Sequence, residues 1–155
     1  MYAKILVAVD GSDTSRHAIE KALELAKAFS ATLRIVHVVD MNWLPIGPEI
    51  GIDTAVMGAA RRGVGENVVS SARDAAQQAG FEAEAVLLET ETPVEHVAEA
   101  IAREAARWPA DLLVLGTHGR RGIQHLMLGR VAERMARLSS APVLLIPSPN
   151  ESTSG

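Results

Sequence analysis

The chain has 155 residues, enough for one domain with a core of its own; 48% are hydrophobic and only 3% aromatic, so Ala, Val, Leu and Ile must build that core. It carries no cysteine, which excludes disulfides, zinc–thiolate centres and cysteine nucleophiles. Its net charge of −4 argues against a general nucleic-acid binder, and no apolar run approaches the roughly 18 residues of a membrane span.

The opening Met1-Tyr2-Ala3-Lys4 leads straight into Ile5-Leu6-Val7-Ala8-Val9. That run is too short for a signal peptide and reads as a first strand. The expectation is a soluble cytoplasmic protein, with one domain over residues 1–148 and a flexible polar tail over 149–155. Asp10-Gly11-Ser12 ends the strand as a turn, and Ser12 or Asp13 suits the N-cap of the next helix. The inward stripe of that helix is Ala18, Ile19, Ala22, Leu23, Ala26 and Phe29. Thr32 to Val39 is a second apolar strand. Met41 to about Asp53 is irregular and apolar, in keeping with a lid, a partner surface or a packed excursion.

A second helix is expected from about Thr54 to Ala79, although Gly58, Gly63 and Gly65 weaken its start. Glu82 to Leu88 alternates partly, as a strand near a sheet edge does. Thr92-Pro93-Val94-Glu95 reads as the start of a third helix that runs to about Arg107, with Thr92 as cap and Glu95 closing the box. Asp111 to Leu115 is a fourth strand, and a last helix runs from Val131 to about Leu138. Ala141 to Pro147 holds a fifth, very apolar strand.

Regular alternation of continuously apolar strands with helices indicates an α/β fold, a parallel sheet covered on both faces. In such sheets ligands sit at the carboxyl ends of the strands, where the winding reverses. Asp10 and Gly116 both stand at such ends. If the first and fourth strands are neighbours, these two residues frame one crevice.

The segment from Gly116 to Arg130 stands out. It follows a buried strand, carries Gly116, Gly119, Gly122 and Gly129, and leads into a helix. Glycines let a backbone approach a ligand closely, and free N–H groups at a helix start favour an anion. Arg120, Arg121, Arg130, Arg134 and Arg137 crowd this loop and helix against a single acid, Glu133. A basic loop on an acidic protein suits a small anion better than a long polyanion. His118 lies between two of the glycines, His125 reads as a surface residue and His37 as a hydrogen-bonded core histidine. No HxxxH or HxH spacing suggests a metal. Ser12, Ser15 and Thr117 have no assignable histidine–carboxylate pair to activate them, so no catalytic residue is nominated.

There is neither a GxxxxGK[ST] loop nor a GxGxxG turn. Two residues separate Gly116 from Gly119, and nine separate Gly119 from Gly129. This resembles the Gly-x2-Gly-x9-Gly loop of the universal stress protein family. The opening strand and turn (residues 4–12), the fourth strand (111–119), the closing helix (128–134) and the last strand (141–146) are similar too. The resemblance implies a Rossmann-like fold with strand order 3-2-1-4-5 and a homodimer formed through the last strand, residues 143–147. It implies binding of an adenine nucleotide, ATP first and ADP or AMP as alternatives, with Mg²⁺ carried along and Asp10 as its candidate ligand. Carried over by position, Val9, Asp10 and Val38 would meet adenine and ribose. Leu115, Gly116, His118 and Gly119 would flank ribose and phosphates. Gly129, Arg130 and Val131 would offer backbone N–H groups to the phosphates.

One residue departs from the pattern. Where the family has Ser or Thr after the third glycine, this chain has Arg130. A guanidinium there can grip phosphate bidentately, point outward or fill part of the site. Three functions therefore stay open. One is a dimeric nucleotide-binding regulator read by a protein partner; another is an interaction module of the same fold without nucleotide; the third is a slow ATP hydrolase or phosphotransferase.

Overall fold

The computed structural model describes residues 2–43, 54–117 and 125–147. Five strands run in chain order: β1 (Lys4–Ala8), β2 (Thr32–Val39), β3 (Glu84–Glu89), β4 (Leu112–Gly116) and β5 (Val143–Ile146). Four helices alternate with them: α1 (Asp13–Phe29), α2 (Thr54–Gln78), α3 (Val97–Arg107) and α4 (His125–Leu138). All four strand pairings are parallel and the order is β3-β2-β1-β4-β5, as the resemblance implies.

Side chains alternate across the sheet and divide the core in two. Ile5, Val7, Leu33, Ile35 and Val114 pack against α1 and α2. Leu6, Val36, Val38, Leu113 and Leu115 pack against α3 and α4. Asp111 pins the start of the central pair, because its Oδ2 accepts the Ala3 and Lys4 N–H groups at 2.8 Å each. Those two donors hold its carboxyl below the ordinary carboxylate range.

Below the sheet Arg34 crosses from β2 to α3. It pairs with buried Glu104 at 2.6 Å and with Glu84 at 3.1 Å, and its guanidinium lies 4.6 Å from the centroid of the Trp108 ring. Fixed between two acids and an aromatic face, it makes contacts a lysine could not reproduce.

Two helix starts differ from the sequence expectation. Thr92 and Pro93 do not open α3; they form a turn closed by Glu95 N–H donating to the Thr92 carbonyl at 3.1 Å. The side chain of Glu95 is drawn off to the Glu91 N–H and to Arg103. The box is completed one turn later, where Glu99 accepts the His96 N–H at 3.0 Å. Arg134 of α4 holds the other oxygen of Glu99 at 2.6 Å. The helix thus starts on a box whose cap is His96, a residue outside the usual Ser, Thr, Asp and Asn set, and Arg134 braces its Glu99. Partial burial works to raise the Glu99 pKa, but these N–H groups and the guanidinium outweigh it and the carboxyl titrates below its ordinary range.

The other difference is α4, which begins at His125 and not near Val131. Gly129 is carried inside it, at a cost of about 1 kcal/mol against alanine. At the two edges, β3 is bounded by Glu84 and Glu89, and β5 exposes Leu144 (37%) and Leu145 (43%). The expectations for residues 44–53, 118–124 and the tail lie outside the described residues.

Candidate functional site

The chain winds from β1 to β2 and β3 on one side, and to β4 and β5 on the other. The reversal falls between β1 and β4, which pair directly, with Ala8 opposite Leu115. Asp10 and Gly116 therefore do stand on either side of one crevice at the carboxyl ends of the central strands, the place where ligands bind in sheets of this kind.

The turn that carries Asp10 is over-determined. Gly11 takes φ +86°, which a side chain would strain. Asp10 Oδ1 accepts the Ser12 N–H at 2.9 Å, and the Asp10 N–H donates to buried Ser15 Oγ at 2.7 Å. Ser12 Oγ caps α1 by accepting the Ser15 N–H at 3.2 Å. The second carboxylate oxygen of Asp10 has no partner among the described residues. The other wall comes closer than a side chain allows. A Cβ on Gly116 would lie 2.8 Å from Thr14 Cγ2, so only glycine lets the end of β4 slide under the first turn of α1.

Val38 and Leu115 belong to the same buried cluster, on the face covered by α3 and α4. They give the crevice an apolar floor on that side. Val9 differs: its side chain belongs to the α1–α2 face, leaving its backbone at the crevice. The Val9 carbonyl is engaged by His37 Nδ1 at 2.7 Å, so His37 is the hydrogen-bonded histidine its strand position suggested. Sequence reasoning gave it no part near the crevice, and only the β1–β2 register shows that contact.

On α4, Gly129, Arg130 and Val131 lie in the second turn. A helix directs such N–H groups at carbonyls four residues back, and the unengaged donors belong to the first turn, which here begins at His125. Arg130 is exposed, and no ion pair holds it among the described residues, whereas Arg134 pairs with Glu99 and Arg137 with Glu133. These three arginines follow at i, i+4 and i+7, so they share one stripe of the helix, and Arg134 marks it as the stripe facing α3. His118 and Gly119 lie outside the described residues. No group of three metal-ligating side chains occurs among the described residues, and none of their helices is long and apolar enough to cross a membrane.

Three comparisons bear on this geometry. The model of the Universal stress protein family matches residues 1–147. Universal stress protein YxiE of Bacillus subtilis is 31% identical over 154 residues, covering 94% of this chain and 99% of its own length. Among solved structures, a universal stress protein family member from Burkholderia pseudomallei is 38% identical with a TM-score of 0.76, covering 94% of this chain and 96% of that one. A universal stress protein solved in complex with cAMP is 27% identical with a TM-score of 0.65, covering 95% of this chain and 98% of that one.

Proposed function

We propose that this chain, which belongs to the universal stress protein family, is a regulator that binds an adenine nucleotide in the β1–β4 crevice. ATP is the nucleotide we favour, in a homodimer paired through β5, with nucleotide occupancy read by a protein partner. The observation that carries the reading is the pairing of β1 with β4, which brings Asp10 and Gly116 together at the reversal of the sheet.

The residues present fit such a ligand. Val38 and Leu115 supply an apolar floor for a base. The free oxygen of Asp10 can accept from a ribose hydroxyl or meet a cation brought by the phosphates. Val9 borders the site through its backbone, whose N–H is already engaged by Val36 and whose carbonyl is engaged by His37. The phosphates fall toward the 116–130 segment, with His118 and Gly119 in its loop. Arg130 reaches toward them from the α3-facing stripe of α4, without an acid to hold it back. The bound cAMP of the 27% identical relative supports an adenine nucleotide as the ligand class.

The interaction module without nucleotide remains a second reading, and one observation favours it. The N–H groups of Gly129, Arg130 and Val131 sit in the second turn of α4 and not at its start. On the nucleotide reading, phosphate contact falls instead to the Arg130 guanidinium and to the first-turn donors. A slow hydrolase is the third reading, and a turnover at background level that Asp10→Ala leaves unchanged removes it.

The test is direct. Protein purified without added ligand is denatured and the supernatant resolved by anion exchange, while the apo form is titrated with ATP and Mg²⁺ by calorimetry. An adenine nucleotide in the supernatant, or saturable binding weakened about tenfold or more by Arg130→Ala, supports the reading. Absence of both overturns it in favour of the interaction module.

A further inference from the structure

A second cleft lies on the opposite face of the sheet, between α1 and α2, with a volume of about 600 Å³. Two contacts bound it, one from the turn before α1 and one to the residue just past α2. A Cβ on Gly11 would stand 3.3 Å from Val68 Cγ2, and Lys27 Nζ donates to the Ala79 carbonyl at 2.6 Å. Between these contacts α2 advances about 17 Å, at roughly 1.5 Å per residue. The volume falls within the range of about 300–1,000 Å³ that holds small organic ligands.

The lining is built in two levels. Val9, Ile19 and Ala72 are buried and form an apolar floor. The walls mix apolar and polar side chains, with Val64, Val68 and Ala75 beside Asn67, Ser71 and Gln78 on α2, and they carry one charge each. Arg16 stands on the α1 wall and Asp74 on the α2 wall, and neither side chain has a hydrogen bond or an ion pair among the described residues. Ser15, buried beneath Arg16, uses its Oγ to accept the Asp10 N–H, and its hydroxyl proton has no acceptor among the described residues. A cation and an unused hydroxyl proton on one wall select a carboxylate, which accepts from both. The anion on the facing wall selects an ammonium. The floor selects an apolar side chain.

We propose that the α1–α2 cleft is a second small-molecule site, for a zwitterion of dipeptide size. Its carboxylate lies on Arg16 and Ser15, its ammonium on Asp74 and its apolar side chains on Val9, Ile19 and Ala72. Arg16 and Asp74 are both exposed and their side chains have no partner among the described residues, so both are available to a ligand. The site lies on the α1–α2 face and shares Val9 and the Gly11–Ser12 turn with the strand end that carries Asp10, while Val38 and Leu115 face the other side.

The test uses the full chain labelled with ¹⁵N and titrated with leucyl-leucine. The expected result is saturable shifts in the amides of Ser12–Ile19 and Asn67–Gln78. N-acetyl-leucyl-leucine amide, which has the same side chains but neither charge, binds about tenfold or more weakly. Arg16→Gln and Asp74→Asn change exposed side chains, keep the parent's melting temperature and each weaken the free dipeptide by about tenfold. The absence of saturable shifts up to about 10 mM dipeptide overturns the proposal. So does equal affinity for the blocked peptide, or parent affinity in both variants.

Discussion

Replacing Gly116 by alanine tests whether the closeness of β4 to α1 is a structural necessity. The new Cβ would stand 2.8 Å from Thr14 Cγ2 and 3.4 Å from the Thr14 carbonyl oxygen. Carbon atoms prefer about 3.5–4.0 Å, so something must move. Thr14 is buried, and a β-branched side chain in a helix has few rotamers to escape into. Overpacking of this kind costs about 1–3 kcal/mol. The alanine recovers roughly 0.4–1 kcal/mol through the unfolded chain. The net expectation is a loss of about 1–2 kcal/mol, or roughly 2–8 °C in melting temperature for a chain of this size. Thr14→Ser removes the clashing methyl and keeps the hydroxyl, so the cost of Gly116→Ala should fall by about 1 kcal/mol in that background. Urea unfolding of the four proteins in the cycle measures both quantities. A Gly116→Ala protein as stable as the parent, or a cycle with no coupling, would refute the reasoning.

Three further outcomes follow from the same structure. Glu104→Ala leaves Arg34 with Glu84 and the Trp108 face, and should cost about 2–4 kcal/mol by urea unfolding; a loss under about 1 kcal/mol would show that the pair is not what holds α3 to β2. Asp111 has a folded pKa lowered from 3.8, so its stabilisation is present above that value and is lost as pH falls through the folded pKa. The stability gap between parent and Asp111→Asn should accordingly be constant at neutral pH and shrink below about pH 4, and a gap flat down to about pH 2 would contradict this. Leu145→Glu on the exposed edge strand should turn a dimer into a monomer by light scattering, and a monomeric parent at micromolar concentration would end the β5 pairing proposal.

What the sequence made legible follows its periodicities. Strands with unbroken apolar runs, such as Thr32–Val39, and helices with a clean stripe, such as Asp13–Phe29, lie where their patterns place them. Both misplaced helix starts have long-range causes or no local signature. Thr92-x-x-Glu95 is the better box by residue type, yet the helix starts at His96-x-x-Glu99, whose Glu99 is held by Arg134, thirty-five residues further on. Gly129 reads as a helix boundary, yet the helix runs through it. The crevice was legible in part, because strand-end positions marked Asp10 and Gly116. What the spacing could not convey is why Gly116 must be glycine, since Thr14 is about a hundred residues away and meets it only once β1 and β4 are paired. The contact of His37 with the Val9 carbonyl is hidden for the same reason.

The first turn of α1 is where these constraints converge. Its Ser15 Oγ accepts the Asp10 N–H and the N–H of its cap Ser12 donates to Asp10 Oδ1, its Thr14 limits the approach of β4, and its Arg16 and Ser15 line the α1–α2 cleft. The turn role of Asp10 is therefore compatible with the ligand role proposed for it. One oxygen and the N–H group build the turn, and the other oxygen is left for the crevice.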